Sequence, residues 1–337
     1  MNKYNSIVTC ASFGGTGSSV VTDLLKEFEN IKSMGDYEFT FLYEVDGISD
    51  LEHYIVEDFH RLKTDEGIYR FKKLIKHLNR GYSEFFGEEF MKLSNEYIDN
   101  LTDISWQGNW HMHQYRYPEL VRILKYKVPE KIQKILFKLK KAKHSYELVP
   151  KYPKLEMNLS FRNGEFYELT KEYTEKLFSV LNSDSKYKYL ALDQLIPPTN
   201  IDRYLKYLND TKVIVVDRDP RDLYILNKLF WNEGWIPTHD VNEYIKWFKL
   251  LRKNINENED KDRIIRIRFE DFIFNYDDTL DRVIKFLDID SINHINKYKY
   301  FNPQISRKNC CLWEKYNNFE KDIELISEEL KEFCYKK

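Results

Sequence analysis

Two periodicities alternate along the chain: short apolar runs of strand length, and longer stretches with apolar residues at helical spacing. Ser6–Ala11 reads as a buried strand. It runs into Ser12-Phe13-Gly14-Gly15-Thr16-Gly17-Ser18-Ser19, after which Val20, Val21, Leu24, Leu25 and Phe28 share a helical face. Phe39–Val45 predicts a second strand, closed by the turn signal Asp46-Gly47. From Ile48 to about Leu101 the spacing is helical, with helices over Asp65–Asn79 and Ser83–Asn100. Beyond Pro153 come a helix over Glu165–Leu181, a strand over Tyr187–Leu192, a helix over Ile201–Leu208 and a strand over Lys212–Val216. Glu243–Asn254 is helical, Arg263–Ile267 a strand, and Thr279–Leu287 and Phe319–Phe333 helices. Strands alternating with helices argue for an α/β fold, a mainly parallel sheet flanked by helices on both faces.

Residues 102–153 break this rhythm. They open with Trp106-Gln107-Gly108-Asn109-Trp110-His111-Met112-His113 and contain a basic segment, Lys131–Lys143, in which Ile132, Ile135, Leu136 and Leu139 form an apolar stripe. Membrane or polyanion contact is one reading of that segment. A solvated helix outside an insertion is the reading preferred from sequence. The expected organisation is one domain over residues 1–337 with a helical insertion at about 100–154.

Composition narrows the field. With 337 residues, 42% hydrophobic and 32% charged, the chain has the makings of a folded domain with a sizeable core. A net charge of −2 gives no general attraction to nucleic acid or acidic surfaces, so an anionic ligand needs a local positive site. No apolar run approaches the length of a membrane span, and Met1–Ser6 lacks the start of a signal peptide, so a cytoplasmic protein is expected. Cys10, Cys310, Cys311 and Cys334 make no ligand pattern, and no metal is expected.

Two constellations carry chemistry. In the first, Gly14, Gly15, Thr16, Gly17, Ser18 and Ser19 join a strand to a helix. Glycines there let successive backbone N–H groups converge on a phosphate, and the helix adds its positive end. Ser18 stands where a nucleoside-triphosphate P-loop would have its lysine, which argues against ATP chemistry. A plain glycine-rich connection is the alternative. The second is Arg218-Asp219-Pro220-Arg221-Asp222, after the strand Val213–Val216. Asp219 is a good N-cap, Pro220 a good first helical residue, and Asp222 completes an Asp-x-x-Asp cap. An arginine at the carboxyl edge of a sheet can hold a phosphate in two-point contact, or serve only a structural Arg–Asp pair.

Together these stretches resemble the sulfotransferase superfamily that uses 3′-phosphoadenylyl sulfate (PAPS), with a look of bacterial enzymes that sulfate cell-surface carbohydrate. The resemblance also takes in Ser306-Arg307-Lys308-Asn309-Cys310-Cys311-Leu312-Trp313, Arg268-Phe269-Glu270-Asp271, and Leu192-Asp193-Gln194 with Pro197-Pro198. It implies a P-loop-type fold, PAPS as donor with adenosine 3′,5′-bisphosphate (PAP) as product, and a hydroxyl-bearing acceptor, with no nucleic acid partner. It implies nucleotide contacts from Gly14–Ser19, Arg218, Arg307, Lys308, Asn309 and Trp313. The family serine eight residues after the motif arginine falls on Leu226, with Asn227 the nearest polar substitute. The family Lys or Arg of the first loop falls on Gly15, with Lys308 or Arg221 as possible replacements. The acceptor hydroxyl needs a base: Glu44 is favoured, with Asp46, His111 and His113 as alternatives. Asp193, Gln194 and Trp110 are the expected acceptor contacts. A small-molecule kinase and a non-catalytic PAP- or PAPS-binding protein are the competing readings.

Overall fold

The computed structural model describes residues 6–139, 149–183, 186–256 and 259–336. Residues 1–5 and the Lys140–Lys143 part of the basic segment therefore lie outside the described residues. Among the described residues seven strands are formed: β1 (Ser6–Ser12), β2 (Ile31–Glu38), β3 (Ile104–Gly108), β4 (Leu155–Leu159), β5 (Tyr189–Asp193), β6 (Thr211–Asp217) and β7 (Ile264–Arg268). Five of them make one parallel sheet in the order β2-β5-β1-β6-β7.

Strand periodicity sorts the core into two layers. Ile7, Ala11, Leu190, Leu192, Val213 and Val215 face helices from residues 48–101, 166–182 and 201–208. Their alternates, Val8, Cys10, Ala191, Ile214, Val216 and Ile267, face the helices Ser18–Leu25, Phe269–Phe274 and Tyr276–Leu287. Burial on both faces explains why these strands are apolar almost throughout. Because every strand runs the same way, Ser12, Glu38, Asp193, Asp217 and Arg268 end at one edge. The chain leaves β1 toward β2 across β5, and passes from β5 to β6 across β1. This reversal opens a crevice at the carboxyl edge, beside the loop that follows β1.

The second strand differs from expectation. It is the polar segment Ile31–Glu38, at the sheet edge, and its register with β5 shifts between Ser33 and Glu38. Phe39, Phe41 and Leu42 are buried, but in an irregular turn packed beneath the sheet. An edge strand needs only one neighbour and one apolar face, so its sequence need not look like a core strand.

The long helical region breaks at Gly87 (φ +58°), giving helices Arg61–Phe86 and Glu89–Leu101. The described residues 109–139 and 149–154 adjoin an antiparallel ribbon of β3 and β4, strands not foreseen from the sequence. Among the described residues no helix is long and apolar enough to cross a membrane.

Glu27, fully buried at the end of the first helix, holds the chain near residue 300. Its Oε1 accepts hydrogen bonds from the N–H groups of Tyr300 and Phe301, both at 3.0 Å, and its Oε2 lies 2.7 Å from His294 Nε2. Glu27→Ala leaves two backbone donors without their acceptor. It should cost about 2–4 kcal/mol, read by urea denaturation.

Candidate active site

The loop after β1 owes its shape to three glycines at positive φ: Gly14 (+78°), Gly15 (+67°) and Gly17 (+102°). It is anchored by Thr16, fully buried, whose Oγ1 donates to the Val216 carbonyl at 2.8 Å and accepts from the Phe13 N–H. Thr16 thus ties the loop to β6 and is a structural member of it. The helix Ser18–Leu25 begins at Gly17 with no side-chain cap, so its first N–H groups point out of the helix unsatisfied. Such a terminus favours an anion.

The glycines are also required by what packs on them. A Cβ at Gly14 would lie 2.2 Å from Trp235, one at Gly15 2.8 Å from Trp231, and one at Gly17 2.5 Å from Phe269. Trp231 and Trp235 were not singled out from the sequence. They belong to a loop organised by Asn227, which is buried. Its Nδ2 donates to Thr238 Oγ1 (2.9 Å) and the Ile236 carbonyl (3.2 Å), and its Oδ1 accepts from the Glu233 N–H (2.8 Å). With its donors and acceptor engaged in this way, Asn227 holds the tryptophan loop and has nothing left for a nucleotide.

Arg218 follows β6 and is 3% exposed. Its guanidinium lies 4.2 Å above the Phe269 ring, and Nη2 donates to the Asn309 carbonyl. It makes no ion pair among the described residues, and its Nε has no partner. Burial lowers its pKa, opposed by the fields of Asp222 and Glu270.

The rest of the turn is committed to structure. Asp219 caps the helix Pro220–Leu226 by accepting from the Arg221 N–H (2.8 Å) and grips the Arg221 guanidinium at 2.6 and 2.9 Å. Trp313 covers that guanidinium, with its ring 4.0 Å from Cζ. Asp222, expected as a cap, instead accepts from the N–H groups of Cys311 (2.8 Å) and Leu312 (2.7 Å). The structure therefore brings Arg218, Asn309 and Trp313 into one cluster. Arg307 and Lys308 are exposed, and the Arg307 guanidinium lies 5.4 Å from the Phe274 ring. Of the two cations considered as replacements for the missing loop lysine, Arg221 is occupied by Asp219. Lys308 remains.

Asp193 ends β5, next to β1, and is 2% exposed. Ser18 Oγ donates to its Oδ2 at 3.3 Å, while Oδ1 is buried without a partner. Burial pushes its pKa up to about 7, and Glu38, its register partner on β2, adds to the rise. Gln194 is turned away from solvent: its side-chain amide makes paired hydrogen bonds to Ser12, Nε2 to Oγ (2.5 Å) and Oε1 from N (3.2 Å). Gln194 therefore braces the loop.

The remaining candidates lie apart. Glu44 is not at a strand end but in the turn after β2, where Thr40 Oγ1 donates to it at 3.1 Å. Asp46 (φ +68°) pairs with Arg70 at 3.2 Å. His113 is 1% exposed, locked at 2.9 Å on Asp65 and accepting from the Trp110 N–H, so it cannot meet an acceptor. His111 is exposed. Asp46 and Trp110 both line a cavity of about 640 Å³, together with Tyr54, Tyr69, Tyr115 and Arg116. Among the described residues no group of three or more His, Cys, Asp or Glu is placed to hold a metal ion.

Residues 136–293 match a family model described as the sulfotransferase family. That stretch, a little under half of the chain, is similar to the sulfotransferase family. The match takes in β5 to β7 and the Arg218–Asp222 turn, and it bears out the superfamily to which the sequence motifs pointed. No curated protein matches the chain. Among solved structures, similar ones include the sulfotransferase domain of the Synechococcus PCC 7002 olefin synthase, with TM-score 0.41, 12% identity, and coverage of 88% of this chain and 79% of that one. The sulfotransferase domain from the curacin biosynthetic pathway has TM-score 0.37 and 14% identity, covering 87% and 78%. Sulfotransferase STF1 from Mycobacterium tuberculosis H37Rv has TM-score 0.35 and 9% identity, covering 91% and 77%.

The site's carboxyl groups set a pH dependence of stability. Folded Asp193 keeps its proton to about pH 7, whereas an unfolded aspartate ionises near ~4. The folded state therefore binds more protons between these values, and stability falls as pH rises through that window. Glu270, raised to about 7 by burial, and Asp222, raised to about 6 by burial and Asp219, act in the same sense. Thermal melts from pH 5 to 8, a span taken from roughly these limits, should show a falling Tm. Asp193→Asn should flatten that slope.

Proposed function

We propose that the protein transfers a sulfuryl group from PAPS to an acceptor hydroxyl, on a carbohydrate, in the cytoplasm. The observation that carries this reading is Arg218. A guanidinium buried to this degree is costly unless compensated, yet this one makes no carboxylate pair among the described residues and keeps an unpartnered Nε. A second anion-attracting feature, the uncapped helix start behind Gly14–Ser19, follows the neighbouring strand β1. Two such features fit a ligand with two separate anionic groups. PAPS, when bound, supplies the activated sulfuryl group. Gly14–Ser19 would hold its 5′ side, and Arg218 with the 307–313 segment its 3′-phosphate. The Asn309 carbonyl that now takes the Arg218 donor would yield to that phosphate.

For the acceptor proton we infer Asp193 in preference to Glu44. A base must sit beside the loop that orients the donor, and Asp193 bonds Ser18 of that loop through one oxygen while the other has no partner. Its pKa near 7 is also suited to taking a proton at neutral pH. The cavity with Asp46 and Trp110 has aromatic rings beside hydrogen-bonding groups, which suit a sugar; since neither Asp193 nor the Gly14–Ser19 loop lines it, it would hold a part of a carbohydrate acceptor away from the reacting hydroxyl.

Two measurements test this reading. Calorimetry should show PAP binding with ATP as a silent control, weakened at least about tenfold by Arg218→Ala; absence of PAP binding would overturn the assignment, and ATP binding in its place would point to a kinase. In a transfer assay, Asp193→Asn should lower kcat by about a hundredfold or more and abolish the rise of kcat with pH near 7. Glu44→Gln should stay within a few-fold of wild type. The reverse order of effects would return the role to Glu44.

A further inference from the structure

We propose that the helical segment 119–139 docks the protein, apolar face down, on an anionic lipid surface. The segment runs as α-helix Glu119–Arg122, a π-helical turn Ile123–Lys127 and α-helix Val128–Leu139. In an ordinary surface helix the apolar stripe packs on the core and the polar face meets water. Here the orientation is reversed. Val128, Ile132, Ile135, Leu136 and Leu139 fall within about 100° of one another at helical spacing, and they are 41%, 52%, 58%, 52% and 73% exposed. The helix Val128–Leu139 has no buried residue.

The face turned toward the protein carries Tyr126, Pro129, Glu130, Gln133 and Phe137. It is fastened by polar contacts. Gln133 makes a two-way pair with the Lys151 backbone, Nε2 to O at 3.0 Å and Oε1 from N at 2.7 Å, and Tyr152 OH donates to Glu130 at 3.4 Å. Tyr126, 1% exposed, packs against Tyr117 and Tyr152. The apolar stripe is thus held outward by specific contacts on the opposite side of the helix. Leu120 and Leu124, 76% and 68% exposed, extend the apolar surface toward the start of the segment.

Charge selects the occupant. Residues 119–139 hold six basic side chains and two acidic ones, Glu119 and Glu130, the latter paired with Lys134 at 2.5 Å, whereas the whole chain has a net charge of −2. At helical spacing Lys127, Lys131, Lys134 and Lys138 form a row along one flank of the stripe. An apolar stripe bordered by lysines suits the boundary between headgroups and acyl chains of an anionic bilayer. A second copy of this chain would bring two lysine rows together, which disfavours self-association through the same face. The inference concerns where the protein sits and is independent of the transfer chemistry.

The full chain should co-sediment with vesicles of phosphatidylglycerol and phosphatidylcholine in equal parts, but not with phosphatidylcholine alone, and binding should weaken as salt is raised. Ile132→Asp with Ile135→Asp should abolish binding without moving Tm, since both side chains are exposed. Lys131→Glu with Lys138→Glu should weaken it at least about tenfold. Wild type remaining in the supernatant with the anionic vesicles would overturn the proposal, as would aspartate variants that bind as wild type does. A concentration-dependent dimer in light scattering, lost in the aspartate variant, would assign the face to self-association and equally overturn it.

Discussion

The packing of Phe269 on two sides holds the candidate site together. One side of the ring meets Gly17, where a Cβ would lie 2.5 Å away, and the Arg218 guanidinium rests 4.2 Å from its centre. The loop after β1 and the turn after β6 therefore share a wall contributed by the helix after β7. Three sheet neighbours meet through one side chain, and their mutual positions are fixed by packing that tolerates no added carbon. A cation stacked on an aromatic ring recovers part of its desolvation cost without neutralising its charge. This contact leaves Arg218 electrostatically available in a way that a buried Arg–Asp pair would not.

Carboxylates around that wall build the frame rather than the anion site. Asp217 is gripped by Arg252 at 2.6 and 2.9 Å, and Arg252 also stacks on Phe13, the residue before the first loop glycine. Asp219 takes Arg221, the Tyr335 N–H and its own helix cap, and Asp222 takes the N–H groups of Cys311 and Leu312. Glu270 accepts from the Asp219 N–H at 2.8 Å. Several of these interactions fasten a segment distant in sequence onto the turn, and the Asp222 hydrogen bonds to Cys311 and Leu312 seat the 309–313 stretch over Arg218 alongside the arginine's own bond to the Asn309 carbonyl. Division of labour within one five-residue motif follows: among the described residues the first arginine makes no carboxylate pair, and the second arginine and both aspartates hold the shape.

Much of this was legible in the sequence, and the exceptions share a cause. The glycine-rich loop, the capped turn after β6 and the parallel α/β pattern were readable because local rules govern them: positive φ, N-cap chemistry and burial on both faces. Strand β2 was misplaced because Phe39, Phe41 and Leu42 have strand-like composition, yet they fill the core without pairing. That moved Glu44 from a strand end into a turn. Asn227 and His113 were named for chemistry and are instead saturated by partners at Thr238, Ile236, Glu233 and Asp65. A side chain's capacity to bond can be read from its type; whether that capacity is already spent cannot. Trp231 and Trp235 were passed over because nothing in their local pattern says that they close on Gly14 and Gly15.

By itself the sequence determined the fold class, the anion-friendly loop and the arginine at the sheet edge, since backbone sterics and short-range periodicity dictate all three. Tertiary structure decided which polar groups stay free. Among the described residues it left Arg218 without a carboxylate and the Asp193 Oδ1 without a partner, and it turned the 128–139 stripe outward. Each of those outcomes depends on contacts between residues far apart in the chain, where the free energy of a polar or apolar group is set by its neighbours in space and not by its neighbours in sequence.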